Sequence, residues 1–289
     1  MLYKWRFTHG TVHGVHAAYR SGKDSISMAF LFLLISFGAS IIGGICGIGG
    51  GIIIKPLLEM FNMASVSAIS FLSGCTVLAL TLYSVGKNLT DRSGTIKLAT
   101  GTPLAIGAAV GGVIGKYMFT AISTLAANEN ITGATQALVL LALTFGTLLY
   151  SVKKSSIRPL NIERPSVCLL IGLILGTVSS FLGIGGGPFN LVVLHYFFSM
   201  ETKPAAANSL YIILFSQATN LLITVFSGKI PAFEWPVLIL MVLGGIFGGM
   251  AGRACNKKLD NRSANRLFIG ILFVIMAICI YNAIRYLTL

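Results

Sequence analysis

The chain has 289 residues, of which 55% are hydrophobic and only 10% are charged. An average soluble domain has roughly 25% charged residues, so this composition excludes an ordinary water-soluble protein. The formal net charge of +13 comes from basic residues in short segments between apolar runs. Charge in that position orients a protein in a membrane, and it does not form the basic and aromatic face that nucleic-acid binding requires.

The apolar residues form segments that are each long enough to cross a bilayer, for which about 20 residues suffice. In chain order the eight segments are 27–47, 66–86, 98–120, 132–152, 166–187, 204–228, 233–252 and 267–287. Inside a bilayer every backbone amide needs a partner, and the segments lack the alternation that is typical of barrel strands. The sequence therefore predicts an all-α integral membrane protein with the lipid bilayer as its surroundings.

The second half of the chain repeats motifs of the first half in the same order. The motif GIGGG occurs at 47–51 and at 183–187, each time at the end of the first apolar segment of a half. Three further matches follow: Ala68-Ile69-Ser70 with Ala207-Asn208-Ser209, the segment 84–87 with 226–229, and Pro103, Gly111, Gly112 and Gly115 with Pro236, Gly244, Gly245 and Gly248. We therefore divide the chain into a basic N-terminal segment (1–26), a first transmembrane repeat (27–152), a basic linker (153–165) and a second transmembrane repeat (166–289).

Basic residues between the segments reverse their distribution from one half to the other. Loop 87–97 has three Lys or Arg and 116–132 has one, whereas the matching loops 229–235 and 253–266 have one and five. Because cytoplasmic loops are enriched in Lys and Arg, the two halves are predicted to have opposite orientations. Inverted repeats of this kind are common in transporters.

Eight complete crossings would give both halves the same orientation, so one region must return to the side from which it started. If residues 1–26 and the basic loops are all cytoplasmic, that region is 166–203. We therefore predict a glycine-broken or re-entrant helix at 183–187, and a related one after Gly47. The charges leave open whether 27–47 crosses completely.

The two GIGGG motifs are candidate anion-binding loops. Each glycine costs a helix about 1 kcal/mol relative to alanine, so four glycines in five residues favour an unwound backbone. The next helix of each half begins directly after the loop, and its N-terminus has free amides and a partial positive charge. The candidate ligands are the amides of six glycines: Gly49, Gly50, Gly51, Gly185, Gly186 and Gly187. For the glycines at 111, 112, 115, 244, 245 and 248, close helix packing is the preferred interpretation.

Polar residues within the apolar segments are further candidates, because they are costly in a membrane unless they are paired or functional. The candidates are Ser70, Thr76, Asn208, Ser209 and Gln217, whose hydroxyl and amide groups can donate hydrogen bonds to an anion. Polar contacts between helices are the alternative interpretation. Lys55, close to the first glycine loop, either attracts anions or extends to the membrane interface.

No pattern of residues in the chain suggests an enzyme. The apolar segments contain no nucleophile with a base, no carboxylate pair and no cluster of metal ligands. His9, His13 and His16 lack the Cys or carboxylate that would complete a metal site. The five cysteines have no paired CxxC spacing, and they are interpreted as packing residues. We therefore expect no catalytic residues, no metal and no cofactor.

The duplicated GIGGG, with the repeated Ala-x-Ser and Pro-plus-glycine matches, resembles the sulfite exporter TauE/SafE family from about residue 30 to 285. The resemblance implies a bacterial inner-membrane protein that moves small anions, chiefly sulfite and organosulfonates. It also implies a permeation site at Gly49–Gly51 and Gly185–Gly187, with Ser70 and Ser209 nearby. The chain departs from a symmetric pattern at the second loop, where Pro188 directly follows the glycines.

Together these features predict a secondary transporter of small anions that works by alternating access. An anion channel is the alternative, since glycine loops also build selectivity filters. The expected partners are a small inorganic or organic anion and the bilayer, without nucleic acid, and a homodimer is left open. The sequence does not name the anion, the coupling ion or the direction of transport.

Overall fold

The computed structural model describes residues 22–61, 63–91, 95–125 and 129–288. Within these ranges the chain folds into α-helices, one 3₁₀ turn at 154–156 and an isolated β-bridge. The helices are α1 (Gly22–Cys46), α2 (Gly51–Met60), α3 (Val66–Thr90), α4 (Leu98–Leu125), α5 (Glu129–Lys153), α6 (Pro165–Leu182), α7 (Phe189–Phe198), α8 (Thr202–Phe226), α9 (Trp235–Lys258) and α10 (Asn261–Thr288). Eight of them, all except α2 and α7, are long and apolar enough to cross a membrane. The predicted all-α membrane fold is confirmed.

Within the described residues both halves contain the same series of five helices, in which a glycine turn separates the first helix from a short second one. The first and second glycines of each motif have left-handed backbone torsions, with φ of 72° at Gly47, 68° at Gly49, 65° at Gly183 and 71° at Gly185. Residues with a Cβ are disfavoured in this conformation. The glycines therefore break the helix at the same place in both halves, as the sequence predicted.

Helices α6 and α7 form a hairpin that starts and ends at the same end of the bundle. The linker before α6 runs beside the last turn of α7, where the N–H groups of Leu160 and Ile162 donate to the carbonyls of Tyr196 and Phe197 at 2.6 and 2.9 Å. Just after this hairpin, Lys203 contacts the start of α10. Its backbone N–H donates to the side-chain oxygen of Asn261 at 3.2 Å. We call this end the basic end; it comprises 153–165, 198–203 and 253–266.

The first hairpin, α1 and α2, points the other way. The middle of α1, at Leu33 and Phe37, packs beside Gly244 of α9. The last turn of α1 packs beside Gly252, and Asn256 donates to the carbonyl of Ile45. The last carbonyls of α2 accept from Arg285, near the end of α10, at 2.8 and 3.1 Å. This hairpin therefore starts and ends at the opposite end of the bundle. We call that end the cavity end, after the cavity described below, and it comprises residues 116–125 and 226–235.

The sequence predicted that residues 1–26 lie on the same side of the membrane as 87–97. Helix α1 runs parallel to α9 and therefore begins at the cavity end, whereas Asp91 at the end of α3 lies at the basic end beside Arg253. Residues 1–21 lie outside the described residues. The hairpins that enter from opposite ends support the inverted repeat, whose orientation in the membrane stays a prediction.

The two halves interlock through glycine-lined helix faces. Glycines of α4 (Gly107, Gly111, Gly115) lie against the backbone of α6, and glycines of α9 (Gly244, Gly248, Gly252) lie against α1 in the same way. A methyl group at these positions would collide with backbone atoms of the facing helix or, at Gly244, with the Ser36 hydroxyl. Small residues permit such close crossings in membranes. The glycine turns meet at the centre, where Ile48 and Ile184 are both fully buried, at 0% exposure.

Candidate functional site

A cavity of about 170 Å³ opens at the cavity end and extends to the second glycine turn. Its wall consists of the first turns of α3, the last turns of α4 and α8, and the end of α6. Liquid water occupies roughly 30 Å³ per molecule, so the cavity has room for a small anion together with water. Among the described residues that line it there is no carboxylate, and its two charged residues are Lys116 and Lys229.

Polar atoms without partners surround the inner part of this cavity. The hydroxyls of Ser70 and Ser180 and the side-chain oxygen of Asn220 are buried and have no hydrogen-bond partner among the described residues. All three residues line the cavity, together with Gly183. Buried polar groups are nearly always hydrogen-bonded, and exceptions call for an explanation such as a bound ligand, ion or water. The inner cavity therefore has the chemistry of a polar binding site.

The predicted glycine ligands lie beneath this cavity and are packed against protein atoms. Gly49 and Gly185 lie beside Val77, Gly50 beside Ser40, and Gly51 against the carbonyl of Ile184. Gly186 is next to Ile213, and Gly187 is next to the ring of Phe189. In the second loop the residue that reaches the cavity is Gly183, which the sequence analysis did not select.

Lys55 lies directly behind Gly183 and is 2% exposed, so it does not extend to the interface. Its ammonium donates to Gln136 Oε1 and to the carbonyl of Leu182, both at 2.6 Å, and is 3.7 Å from Glu59 Oε1. Gln136 in turn donates to the carbonyl of Phe181 at 2.6 Å. A cation at the last carbonyls of a helix is favoured by the helix dipole. Lys55 therefore fixes the end of α6 and the glycine turn that follows.

The other predicted polar residues do not all converge. Ser70 lines the cavity, and Gln217 lies between Gly74 and Gly185 with its Oε1 unpaired among the described residues. The Thr76 hydroxyl donates to the carbonyl of Leu72 at 2.9 Å. Asn208 lies toward the basic end, where it accepts from the Lys97 N–H and donates to the Thr95 carbonyl, both at 3.0 Å. Ser209 accepts a long contact of 3.4 Å from Asn190.

Several cavity residues were not singled out from the sequence. They are Ser180, Thr120, Ser123, Thr124, Lys116 and Lys229. Ser180 precedes the glycine turn by less than one helical turn, and Lys116 directly follows the packing glycine Gly115. Their proximity to these motifs was a usable signal. That all six residues face one cavity depends on the orientation of each helix about its own axis.

The basic end is closed at the corresponding place. The carboxylate of Asp91, which follows α3, is 2.9 Å from Arg253 Nη2 and 3.2 Å from Lys257 Nζ. These hydrogen bonds, first that of Arg253 and then that of Lys257, hold the pKa of Asp91 below its ordinary value. Gly47, the counterpart of Gly183, is covered by Ala206. A small pocket of about 20 Å³ near this end lies elsewhere, between α5, α7 and α10.

Comparison with known proteins agrees with this architecture. Residues 32–278 match the family model for the sulfite exporter TauE/SafE. The chain is 25% identical over 284 residues to the "Probable membrane transporter protein YunE" of Bacillus subtilis (strain 168), covering 89% of this chain and 99% of that protein. No solved structure matches the chain significantly. The chain is a multi-pass membrane transporter that belongs to the sulfite exporter TauE/SafE family.

Proposed function

We propose that the protein transports a small sulfur oxyanion, such as sulfite or an organosulfonate, which binds at the inner end of the cavity. The observation that carries the proposal is the group of unpaired polar atoms at Ser70, Ser180 and Asn220 around Gly183, in a cavity whose charged lining residues are both lysines. The Ser70 and Ser180 hydroxyls can donate to an oxyanion without adding charge. The unpaired atom of Asn220 is its acceptor oxygen, so its amide has to turn to present the N–H group to the anion. Such neutral donors permit release as well as binding.

The two lysines support the choice of an anion. Lys116 lies over the ring of Phe119, with Nζ 5.5 Å from the ring centroid, and Lys229 faces the same cavity. A cleft that is lined by charges of one sign attracts solutes of the opposite charge and raises their local concentration. Lys55, behind Gly183, adds a third positive charge, although Glu59 compensates it locally. In this proposal Lys55 acts on the anion through the shape of the turn that it fixes.

A transport cycle follows from the asymmetry of the two ends. With the basic end in the cytoplasm, as the distribution of Lys and Arg favours, the cavity opens to the outside. Release then occurs from the state described here, and loading requires a state that opens at the basic end. A negative cytoplasm drives an anion outward by about 2.3 kcal/mol per charge at 100 mV. We therefore propose export by alternating access.

The test is counterflow in proteoliposomes with sulfite, sulfate, sulfoacetate and an organic cation. We expect accelerated exchange for one or more of the anions and none for the cation. Asn220→Leu, which keeps a similar volume but removes the amide, is expected to lower exchange at least about tenfold, the effect of roughly 1.4 kcal/mol. Thr219→Val is the matched control, because the neighbouring Thr219 hydroxyl bonds to its own helix at Phe215.

Two results would contradict the proposal. If Asn220→Leu and Thr219→Val exchange anions at equal rates, the inner cavity is not the binding site. Anion conductance without counterflow would indicate the channel instead, because a channel does not exchange one bound anion for another through alternating states.

A further inference from the structure

The ion-pair cluster at the basic end has the composition of an occupied anion site. One oxygen of Asp91, Oδ2, accepts from both Arg253 and Lys257. Arg253 also donates to the carbonyl of Ser84 at 3.3 Å, which connects the end of α9 to the end of α3. The side chains are 14% exposed for Arg253, 35% for Asp91 and 64% for Lys257. The cluster can therefore be reached from the basic end.

The position of this cluster in the repeat relates it to the open cavity. Arg253 and Lys257 follow Gly248 at the same spacings at which Thr120 and Thr124 follow Gly115. Thr120 and Thr124 line the open cavity at the cavity end. Equivalent positions of α4 and α9 therefore present hydroxyls where the structure is open and cations where it is closed.

We propose that Arg253 and Lys257 form an anion-binding site at the basic end, which the carboxylate of Asp91 occupies as an internal competitor. The inference rests on the proposed function, since the ligand of this site is the transported oxyanion. Guanidinium and ammonium groups bind a sulfur oxyanion with the same charge-assisted hydrogen bonds that they make to a carboxylate. When the anion takes the place of Asp91, the ends of α3 and α9 separate and the path from the basic end opens.

Competition of this kind makes the closed state reversible. A group held nearby by a short segment of chain competes at an effective concentration in the millimolar range. An anion at about millimolar concentration can therefore displace Asp91, while lower concentrations leave the end closed. Because ion pairs that are this exposed add little to folding stability, removing the carboxylate should open the end without unfolding the protein.

The experiment measures opening through the Ser84→Cys thiol in an otherwise cysteine-free protein. Ser84 is buried beside Arg253, so its modification by an impermeant thiol reagent requires the ends of α3 and α9 to separate. We expect millimolar sulfate to increase the labelling rate several-fold relative to chloride at equal ionic strength. Asp91→Asn should raise the rate about tenfold without sulfate and remove the response to it.

Glu201→Gln is the matched control, because Glu201 is also a carboxylate at the basic end but accepts from Asn261 instead of from Arg253. It should leave labelling unchanged. If Asp91→Asn does not fold, as judged by its melting temperature in detergent, Arg253→Gln provides the same test, since it should also raise labelling. Labelling that is insensitive to sulfate, or equal in the Asp91→Asn variant and the parent, would overturn the inference. Failure of the proposed function would instead appear as an absence of anion exchange by the unaltered protein.

Discussion

The cavity end and the basic end use the same arrangement of helices with different side chains. At the cavity end, Gly183 is exposed to a cavity between α3, α4 and α8. At the basic end, its counterpart Gly47 is covered by Ala206, and Asp91 joins α3 to α9 through Arg253. The two ends therefore share an arrangement of helices but differ in what covers the glycine turn.

The largest expected effect on transport concerns the turn at the bottom of the cavity. Gly183→Ala should reduce anion exchange more than about tenfold, because the residue has φ of 65° and its new methyl would meet Ser70 Oγ at 2.7 Å. Gly228 has the same φ of 65° with nothing within 4 Å. Gly228→Ala therefore reproduces the backbone strain, of roughly 1–2 kcal/mol, without the collision. Exchange per folded molecule measures the difference, and equal losses in both variants would exclude a special role for Gly183.

The largest expected effect on stability comes from breaking the buried ion pair behind that turn, between Lys55 and Glu59. Glu59→Gln should lower the free energy of unfolding by about 3–5 kcal/mol, since it leaves the Lys55 ammonium buried without its counter-ion. Lys257→Gln, at the basic end, should change stability far less, because that side chain is 64% exposed. Denaturation of the detergent-solubilised variants measures both. Similar losses would mean that the two ends are stabilised in the same way.

A smaller effect is expected from the lysines that occupy equivalent places in the two halves. Lys229→Gln should raise the KM for anions supplied at the cavity end roughly threefold at low salt, because one unit charge at about 4 Å is worth about 1 kcal/mol in water. Lys87→Gln should leave this KM unchanged, since Lys87 lies in the last turn of α3 at the basic end. The difference should disappear at high ionic strength, where such charges are screened. A persistent difference at high salt would indicate direct contact with the anion.

The smallest expected change is in the pH dependence of the basic end. Because the pKa of Asp91 is lowered by Arg253 and Lys257, its ion pair is present above the ordinary carboxyl pKa of about 3.9 and is lost only as the pH falls through the lowered value. Thiol labelling itself slows as the pH falls, because the thiolate is the nucleophile. The labelling rate of Ser84→Cys, divided by that of a small reference thiol at the same pH, should therefore stay constant from about pH 8 to about pH 5, where Asp carboxylates remain ionised. An increase over this range would assign closure to a group other than Asp91.

Much of the fold could be predicted because its causes are local. Apolar segments long enough to cross a bilayer indicated the eight helices, among the described residues, that are long and apolar enough to span it. Consecutive glycines indicated the breaks after Gly47 and Gly183, since a helix does not tolerate them well. The candidate site was harder to predict. Ser70 was found because it is polar within an apolar segment, but Asn208 met the same criterion and instead holds the loop at Thr95.

The sequence by itself determined a helical membrane transporter with two related halves and a glycine break in each, because hydropathy and backbone preference act within a few residues. Only the tertiary structure decided which polar groups meet. Ser180 and Asn220 face a common cavity, Lys55 pairs with Glu59 behind it, and Asp91 closes the other end on Arg253. These contacts depend on the rotation of each helix about its axis and on which distant helices pack together. Neither is fixed by the local pattern of residues along the chain.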